Sequence, residues 1–416
     1  MRSAGGAESQ AVNLTPDFFA AADPQVSFDA SKVLFAAQSQ PGSRWQIWEM
    51  QIDGSAKRQV THLDSDCLRP SYHAHEEIVF TVVTSEAGQR VSQVYAAKLD
   101  GTEAHPITFG PGNFQVETVL KDGRILVSAA APLALETKDS GGLYVMRHDG
   151  TGLSSLRCEH SQQARRTQAA ELADGSIVFV KNPPASPAAV GGELAMIRRG
   201  ALHNSSLSPQ AAVSWSPRAL DQNKVIVARR SAGSGDSKFD LYAFDPASGE
   251  FGEPLFRDPK LSSVQAAAVA AHPAPRWYWS TLNPQSKTGY FVCLDARQSA
   301  DEPSGRIAAT LSKVRVLVLE DGKERSLGEA VVEADGSFYI GVPGDKPVRF
   351  ELLDNSGTVV RAQKSWIWAR PGEERGCVGC HEDKSVAPEN RWPLALRRFD
   401  TPTKLGVDVE TMRAAH

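Results

Sequence analysis

The chain has 416 residues, of which 41% are hydrophobic and 23% charged, and carries a formal net charge of −4. This length is too great for one ordinary core and predicts two or three domains. The balanced charge gives no reason to expect nucleic acid or an anionic membrane as partner, and no apolar run reaches the roughly 18 residues of a bilayer span.

Residues 1 to 23 read as a lead-in, opening with Met1-Arg2-Ser3-Ala4-Gly5-Gly6 and lacking the apolar stretch of a signal peptide. From residue 24 to about 300 the sequence repeats itself. A short apolar strand recurs as Val33-Leu34-Phe35, Ile78-Val79-Phe80, Ile125-Leu126-Val127, Ile177-Val178-Phe179, Val225-Ile226-Val227 and Trp277-Tyr278-Trp279. A second strand follows each: Ile47 to Met50, Val94 to Ala97, Leu143 to Met146, Leu194 to Ile197, Leu241 to Phe244 and Tyr290 to Cys293. Turns follow at Asp53-Gly54, Asp100-Gly101, Asp149-Gly150, Arg199-Gly200, between Asp245 and Gly249, and at Asp295. Asp-Gly between apolar strands marks a hairpin, because both residues tolerate positive φ. A period of about 40–50 residues with several strands per unit describes propeller blades, and six units predict a six-bladed β-propeller over 24–300. The Asp-Gly hairpin after an aromatic-rich strand resembles the blades of TolB-like propellers, a likeness of fold that assigns no function.

Gln298 to Gly305 then reads as a linker. Beyond it, Val314 to Leu319, Ala330 to Glu333, Ser337 to Ile340 and Val348 to Leu352 are short strands divided by Asp-Gly and Pro-Gly turns. They predict a small β-sandwich module over 306–370, making the whole chain all-β. Residues 371–416 form the last segment, with a short helix expected around Val409 to Ala414.

That segment opens with the most informative string in the chain, Cys377-Val378-Gly379-Cys380-His381. Cys-x-x-Cys-His is the form of covalent haem c attachment. Cys377 and Cys380 would add to the two vinyl groups of one porphyrin, and His381 would serve as axial ligand to the iron. A zinc knuckle needs two more ligands, and Cys67, Cys158 and Cys293 are scattered singly and read as buried thiols. A thioredoxin-type disulfide expects a preceding strand and a following helix, which Arg370 to Gly376 does not offer. Haem c is attached outside the cytoplasm, so the reading calls for an export leader and a periplasmic or otherwise extracytoplasmic location.

Around the motif, Trp366 and Trp368 alternate and share a face, either walling a porphyrin or closing the small module. Arg370, Arg375 and Arg391 are candidates for pairing with haem propionates. For the sixth ligand, Met412 and His416 lie downstream, but an open or water-bound position, or a propeller ligand such as His73 or His75 beside Asp66 and Cys67, is expected ahead of either. Glu382 and Asp383 are candidate proton-handling groups.

The strings Asp335 to Phe338, Pro347 to Phe350, Trp366 to Glu373 and Gly376 to Glu382 resemble the middle domain of the hydrazine synthase alpha-subunit-like family, whose members also carry an N-terminal six-bladed propeller. The resemblance implies an extracytoplasmic multi-domain cytochrome with thioethers at Cys377 and Cys380 and His381 as the motif histidine. Hydrazine synthases place a tyrosine after the motif to serve the iron. Here Glu382 to Asn390 contains none, and Ser385 takes the corresponding place. The resemblance thus implies membership of the family rather than hydrazine synthesis. The reading from sequence is a c-type cytochrome with one covalent haem c, acting in electron transfer or haem-based redox chemistry with a redox partner protein. The alternative is a propeller that binds a ligand or protein, with the Cys-x-x-Cys site structural.

Overall fold

The computed structural model describes residues 2–3, 11–86, 89–130, 141–156, 164–183, 191–201, 205–207, 212–231, 238–380 and 389–407. Strands account for nearly all regular structure; the one short helical turn among these residues is Leu394–Leu396. The all-β reading holds.

Five four-stranded antiparallel units follow one another along the chain, the third and fourth joined by one parallel pairing of Gly141 with Arg165, with inner strands Ala20–Val26, Asp66–His73, Asn113–Val119, Arg165–Glu171 and Ala212–Ala219 packed side by side. Each of the first five repeat units supplies the second and third strands of one blade, where the apolar triplets placed them. The second strands of the second, third and fourth blades lie between neighbouring blades, and that of the first is covered on its other flank by Leu14, Phe18 and Ala267, which is why they read as continuous apolar runs. Phe35, Phe80 and Phe179 occupy the same place in three blades and are fully buried. The three Asp-Gly turns are tight hairpins in which Asp53, Asp100 and Asp149 accept the backbone N–H of Ser55, Thr102 and Thr151 at 2.9–3.0 Å. Gly101 lies at φ +89°, and a Cβ there would come within 1.9 Å of the Val60 carbonyl of the preceding blade. The turn therefore specifies glycine twice, by backbone conformation and by close approach.

The sixth unit differs. Trp277-Tyr278-Trp279 lies in a stretch, residues 257–287, that forms no strand. Pro273, Pro275 and Pro284 remove ladder donors on either side of it, so the apolar triplet has no hairpin to join. Tyr290 to Cys293, expected as its companion, belongs to the C-terminal module instead.

The sixth place is nevertheless filled. Each inner strand carries a bulge whose residue faces the central axis, and these residues form a closed ring of hydrogen bonds. Arg69 donates its N–H to Asp23 at 3.0 Å and pairs with Glu117 at 3.1 Å. Glu117 accepts the Ala169 N–H at 3.1 Å, next to Gln168, which in turn accepts the Ser216 N–H at 2.7 Å. Gln265, from the strandless stretch, donates its N–H to Ser216 at 2.8 Å and its side-chain amide to Asp23 at 2.5 Å. The period is thus sixfold at the axis and fivefold in sheets.

After Gln265 the chain crosses the hairpin face. His272 donates its N–H to Phe28 in the first blade and Arg276 to Lys121 in the third. It then enters the module, a sandwich of two four-stranded sheets. One has the order Glu374–Cys377, Thr288–Cys293, Phe338–Pro343, Thr403–Lys404; the other Lys323–Val331, Lys313–Glu320, Val348–Leu353, Val359–Ala362. Phe291, Val314, Val316, Ile340, Val342, Val348 and Leu352 fill the space between them. The expected linker from Gln298 to Gly305 is a folded turn inside this module. The Ser299 N–H donates to Gly305 at 3.0 Å, and Ser299 is buried.

Candidate functional site

Glu374–Cys377 is an edge strand running parallel to Thr288–Cys293, and the register sets Cys377 beside Cys293. Beyond the strand the motif turns along the chain that follows Cys293. Leu294 donates its N–H to the Cys377 carbonyl at 2.9 Å, Asp295 to Val378 at 3.2 Å, and Cys380 donates to Gln298 at 3.0 Å. A Cβ on Gly379 would come within 2.5 Å of the Gln298 carbonyl, so the second spacer residue is glycine because backbone passes backbone there. On the other side, a Cβ on Gly376 would meet nothing within 4 Å.

Cys377 and Cys380 are half-buried against the module core, and Cys293 is fully buried; none is in a disulfide. Burial pushes the Cys293 thiol well up, and the neighbouring Cys377 and Cys380 push it further. Burial also raises Cys380, against the opposing pull of the Arg361 guanidinium. Arg361 donates to Ser299 at 2.6 Å and to Asp301 at 3.0 Å, tying the 298–305 turn to the thiol pair. Asp295 is 2% exposed and meets Arg297 at 2.9 Å, Arg306 at 2.7 Å and Arg391 at 3.4 Å. Burial alone would raise its carboxyl, but the bonds from Arg297 and Arg306 outweigh that and hold it below the usual range. The arrangement is a fixed pair of thiols at a sheet edge, open beside Gly376 among the described residues.

The segment before the motif joins the module to the propeller. Trp366 and Trp368 share a face, as their spacing predicts, but that face is buried in the cluster of the second and third blades. Trp368 is 0% exposed and meets the Phe114 ring edge-on at 5.4 Å. Neither indole walls the thiol site or closes the small module. Arg370 and Arg375 are likewise committed to this seam. Arg370 pairs with Asp345 at 2.7 Å and bonds to the Asp149 carbonyl. Arg375 donates to Leu153 at 2.7 Å and to Trp368. Glu373 completes the seam by accepting the Gly152 N–H at 2.7 Å.

Residues 301–382 match the hydrazine synthase alpha subunit middle domain. Hydrazine synthase subunit alpha of Kuenenia stuttgartiensis is 23% identical across 88% of this chain. Kuenenia stuttgartiensis hydrazine synthase superposes with a TM-score of 0.83 at 22% identity, covering 94% of this chain and 66% of that one. The chain therefore carries a match to the hydrazine synthase alpha middle domain and resembles the hydrazine synthase alpha-subunit-like family over most of its length. It spans 60% of the length of the Kuenenia subunit. TolB from Acinetobacter baumannii aligns over 57% of the chain and 55% of its own, at 17% identity and a TM-score of 0.42, a likeness too distant to carry weight.

The remaining candidates divide. His381, Glu382, Asp383, Ser385, Met412, His416 and Cys158, and the stretch Val409 to Ala414, lie outside the described residues. Arg391 donates to the Asp335 carbonyl at 2.7 Å, close to Asp295. His73 ends its strand and Asp66 and Cys67 begin it, so the strand holds the expected cluster about 20 Å apart. His73 is buried, donates to the Gly123 carbonyl at 3.0 Å and lies 5.7 Å from His148. Trp277 packs on His148 at 4.1 Å and on His75 at 4.8 Å, pinning the crossing stretch to the hairpin face. Among the described residues, no group of three or more His, Cys, Asp or Glu is arranged to hold a metal ion. The spacing argument missed Cys293, Asp295 and Arg361. Only the strand pairing brings the first two to the motif, and no local pattern announces it.

Proposed function

We propose that this chain is a c-type cytochrome, with one haem c held by thioethers to Cys377 and Cys380 and by His381 at the iron. Its role is electron transfer or haem-based redox chemistry outside the cytoplasm, with a protein redox partner. The observation that carries the reading is the Cys-x-x-Cys-His string at the exit of an edge strand, with both thiols half-buried and in no disulfide. The residues present fit such a group. An edge strand leaves one flank uncovered, the space beside Gly376 is open, and the module core offers an apolar backing for the thiols.

A bound haem supplies one-electron chemistry, while the protein tunes access and burial. The chain's own contribution is positional. Gly379 lets the motif backbone lie against Gln298, and Arg361 sets a positive charge beside Cys380. Asp295 and its three arginines fix the turn on which the motif rests.

The test is expression with an export leader and haem-attachment machinery, followed by an absorbance spectrum and a pyridine haemochrome assay. The protein should keep its haem through denaturation, and Cys377→Ser with Cys380→Ser should lose it. His381→Ala should change the spectrum while leaving attachment intact. The second reading is a propeller that binds a ligand or protein, with the Cys-x-x-Cys pair a structural site. Colourless exported protein with stoichiometric zinc would replace the haem reading with that one.

A further inference from the structure

A cavity of about 440 Å³ opens between the second, third and fourth blades. It is lined where Asn113–Val119 and Arg165–Glu171 begin, the opposite end of the blades from the Asp-Gly hairpins and the docked module. Its size exceeds a single inorganic ion and falls in the range of small-molecule sites, roughly 300–1,000 Å³.

The lining is one-sided in charge. Arg90, Arg165 and Arg166 contribute to it, and no Asp or Glu does among the described residues. Two acids of the same blades are engaged elsewhere. Glu117 takes Arg69 at 3.1 Å, the Ser128 hydroxyl at 2.6 Å and the Ala169 N–H at 3.1 Å. Asp66 accepts the Trp45 N–H at 3.1 Å and stays 3.9 Å from Arg90. Arg165 makes no ion pair among the described residues, and its buried Nε has no hydrogen-bond partner. A buried N–H left in that state is costly unless something supplies the missing acceptor. The neutral groups add donors. The Asn113 carbonyl oxygen accepts the Ser92 N–H at 2.9 Å, which leaves the amide NH2 as the end it presents to a ligand.

Cations and donors around a cavity of molecular size call for a ligand that only accepts, at several points. The geometry points to a binding site for a small organic polyanion of the di- or tricarboxylate class, with Arg165 as the principal anchor. Guanidinium meets carboxylate through two parallel bonds, and Arg165 together with Arg90 matches a ligand bearing more than one such group. The site is separate from the thiol pair and stands or falls independently of it.

Isothermal titration of the full chain with citrate, succinate, phosphate and acetate tests this. Citrate and succinate should bind and raise the melting temperature, with acetate far weaker. Arg165→Gln should weaken citrate by about tenfold or more, as loss of a charge-assisted bidentate contact does. Without anion, Arg165→Gln should melt no lower than wild type, because it removes a buried N–H that has no partner; a purely structural arginine would give a clear drop. Absence of binding at millimolar citrate, equal affinity for acetate and citrate, or unchanged affinity in Arg165→Gln would overturn the site. Binding of phosphate without the carboxylates would overturn the ligand class.

Discussion

The five blades and the stretch that takes the sixth place share one sequence period, yet only the blades became sheets. A blade needs an unbroken row of backbone donors on its strands, and the stretch around Trp277 is interrupted by Pro273, Pro275 and Pro284. The axial ring asks far less, one backbone N–H and one side-chain amide, and Gln265 supplies both. A repeat therefore persists as a set of positions after it has ceased to be a set of strands. Released from a sheet, the sixth unit runs over the hairpin face instead and delivers the chain to the module docked there.

If docking rather than pairing holds this half of the molecule, its anchors should matter more than any hydrogen bond in the crossing stretch. Trp368→Ala empties a fully buried site between propeller and module and should cost about 3–5 kcal/mol by chemical denaturation. A loss below about 1 kcal/mol would mean that the seam contributes little. The blades offer an internal contrast. Gly101→Ala drives a Cβ into the Val60 carbonyl, whereas at Gly200, also at positive φ, a Cβ meets nothing within 4 Å. The first should be the more destabilising by about 1–3 kcal/mol, and equal effects would show that blade-to-blade contact at the turn is unimportant.

Gln265→Ala breaks the ring at its only strandless link. It leaves the Asp23 N–H without the acceptor it has at 3.2 Å, and about 1–2 kcal/mol should be lost. The smallest effect expected is a dependence on pH. Burial, with His148 nearby, pulls His73 below its ordinary value of 6.5, while the Gly123 carbonyl and Glu77 pull the other way. The folded chain thus prefers neutral His73, and the unfolded chain takes up the proton first. Stability from this group is complete above about pH 6.5 and declines as pH falls through the lower folded value. Urea melts at pH 7.5 and 5.5 should differ less in His73→Gln than in wild type.

The ten strands of the first five units were readable because each second strand is apolar on both faces and three of the third strands end at Asp-Gly. The inner strands were not. Asp23, Arg69, Glu117 and Gln168 face a polar axis, so nothing in their hydropathy marks them as central. Trp277-Tyr278-Trp279 imitated a strand because aromatic content outweighed the flanking prolines in the reading. At the thiol site the motif itself was plain, but its surroundings depended on a parallel pairing between segments far apart in sequence. The alternation of Trp366 and Trp368 told which way both indoles point and nothing about what they meet. For Arg370 and Arg375, charge suggested a ligand where the seam had already claimed both.

Because Gln265 bonds to Asp23 as well as Ser216, the first blade waits for a residue made long after it. Ala267, two positions on, packs on the cluster that contains Val33, Phe35, Ala37 and Met50, so the covering of that flank, begun by Leu14 and Phe18, is completed only late in synthesis. Domains tend to fold as they emerge, N-terminal part first, and uncovered apolar surface is what chaperones bind. A nascent chain halted before residue 265 should therefore be a better chaperone substrate than one halted just beyond 267, a difference that arrested-translation pull-downs would resolve.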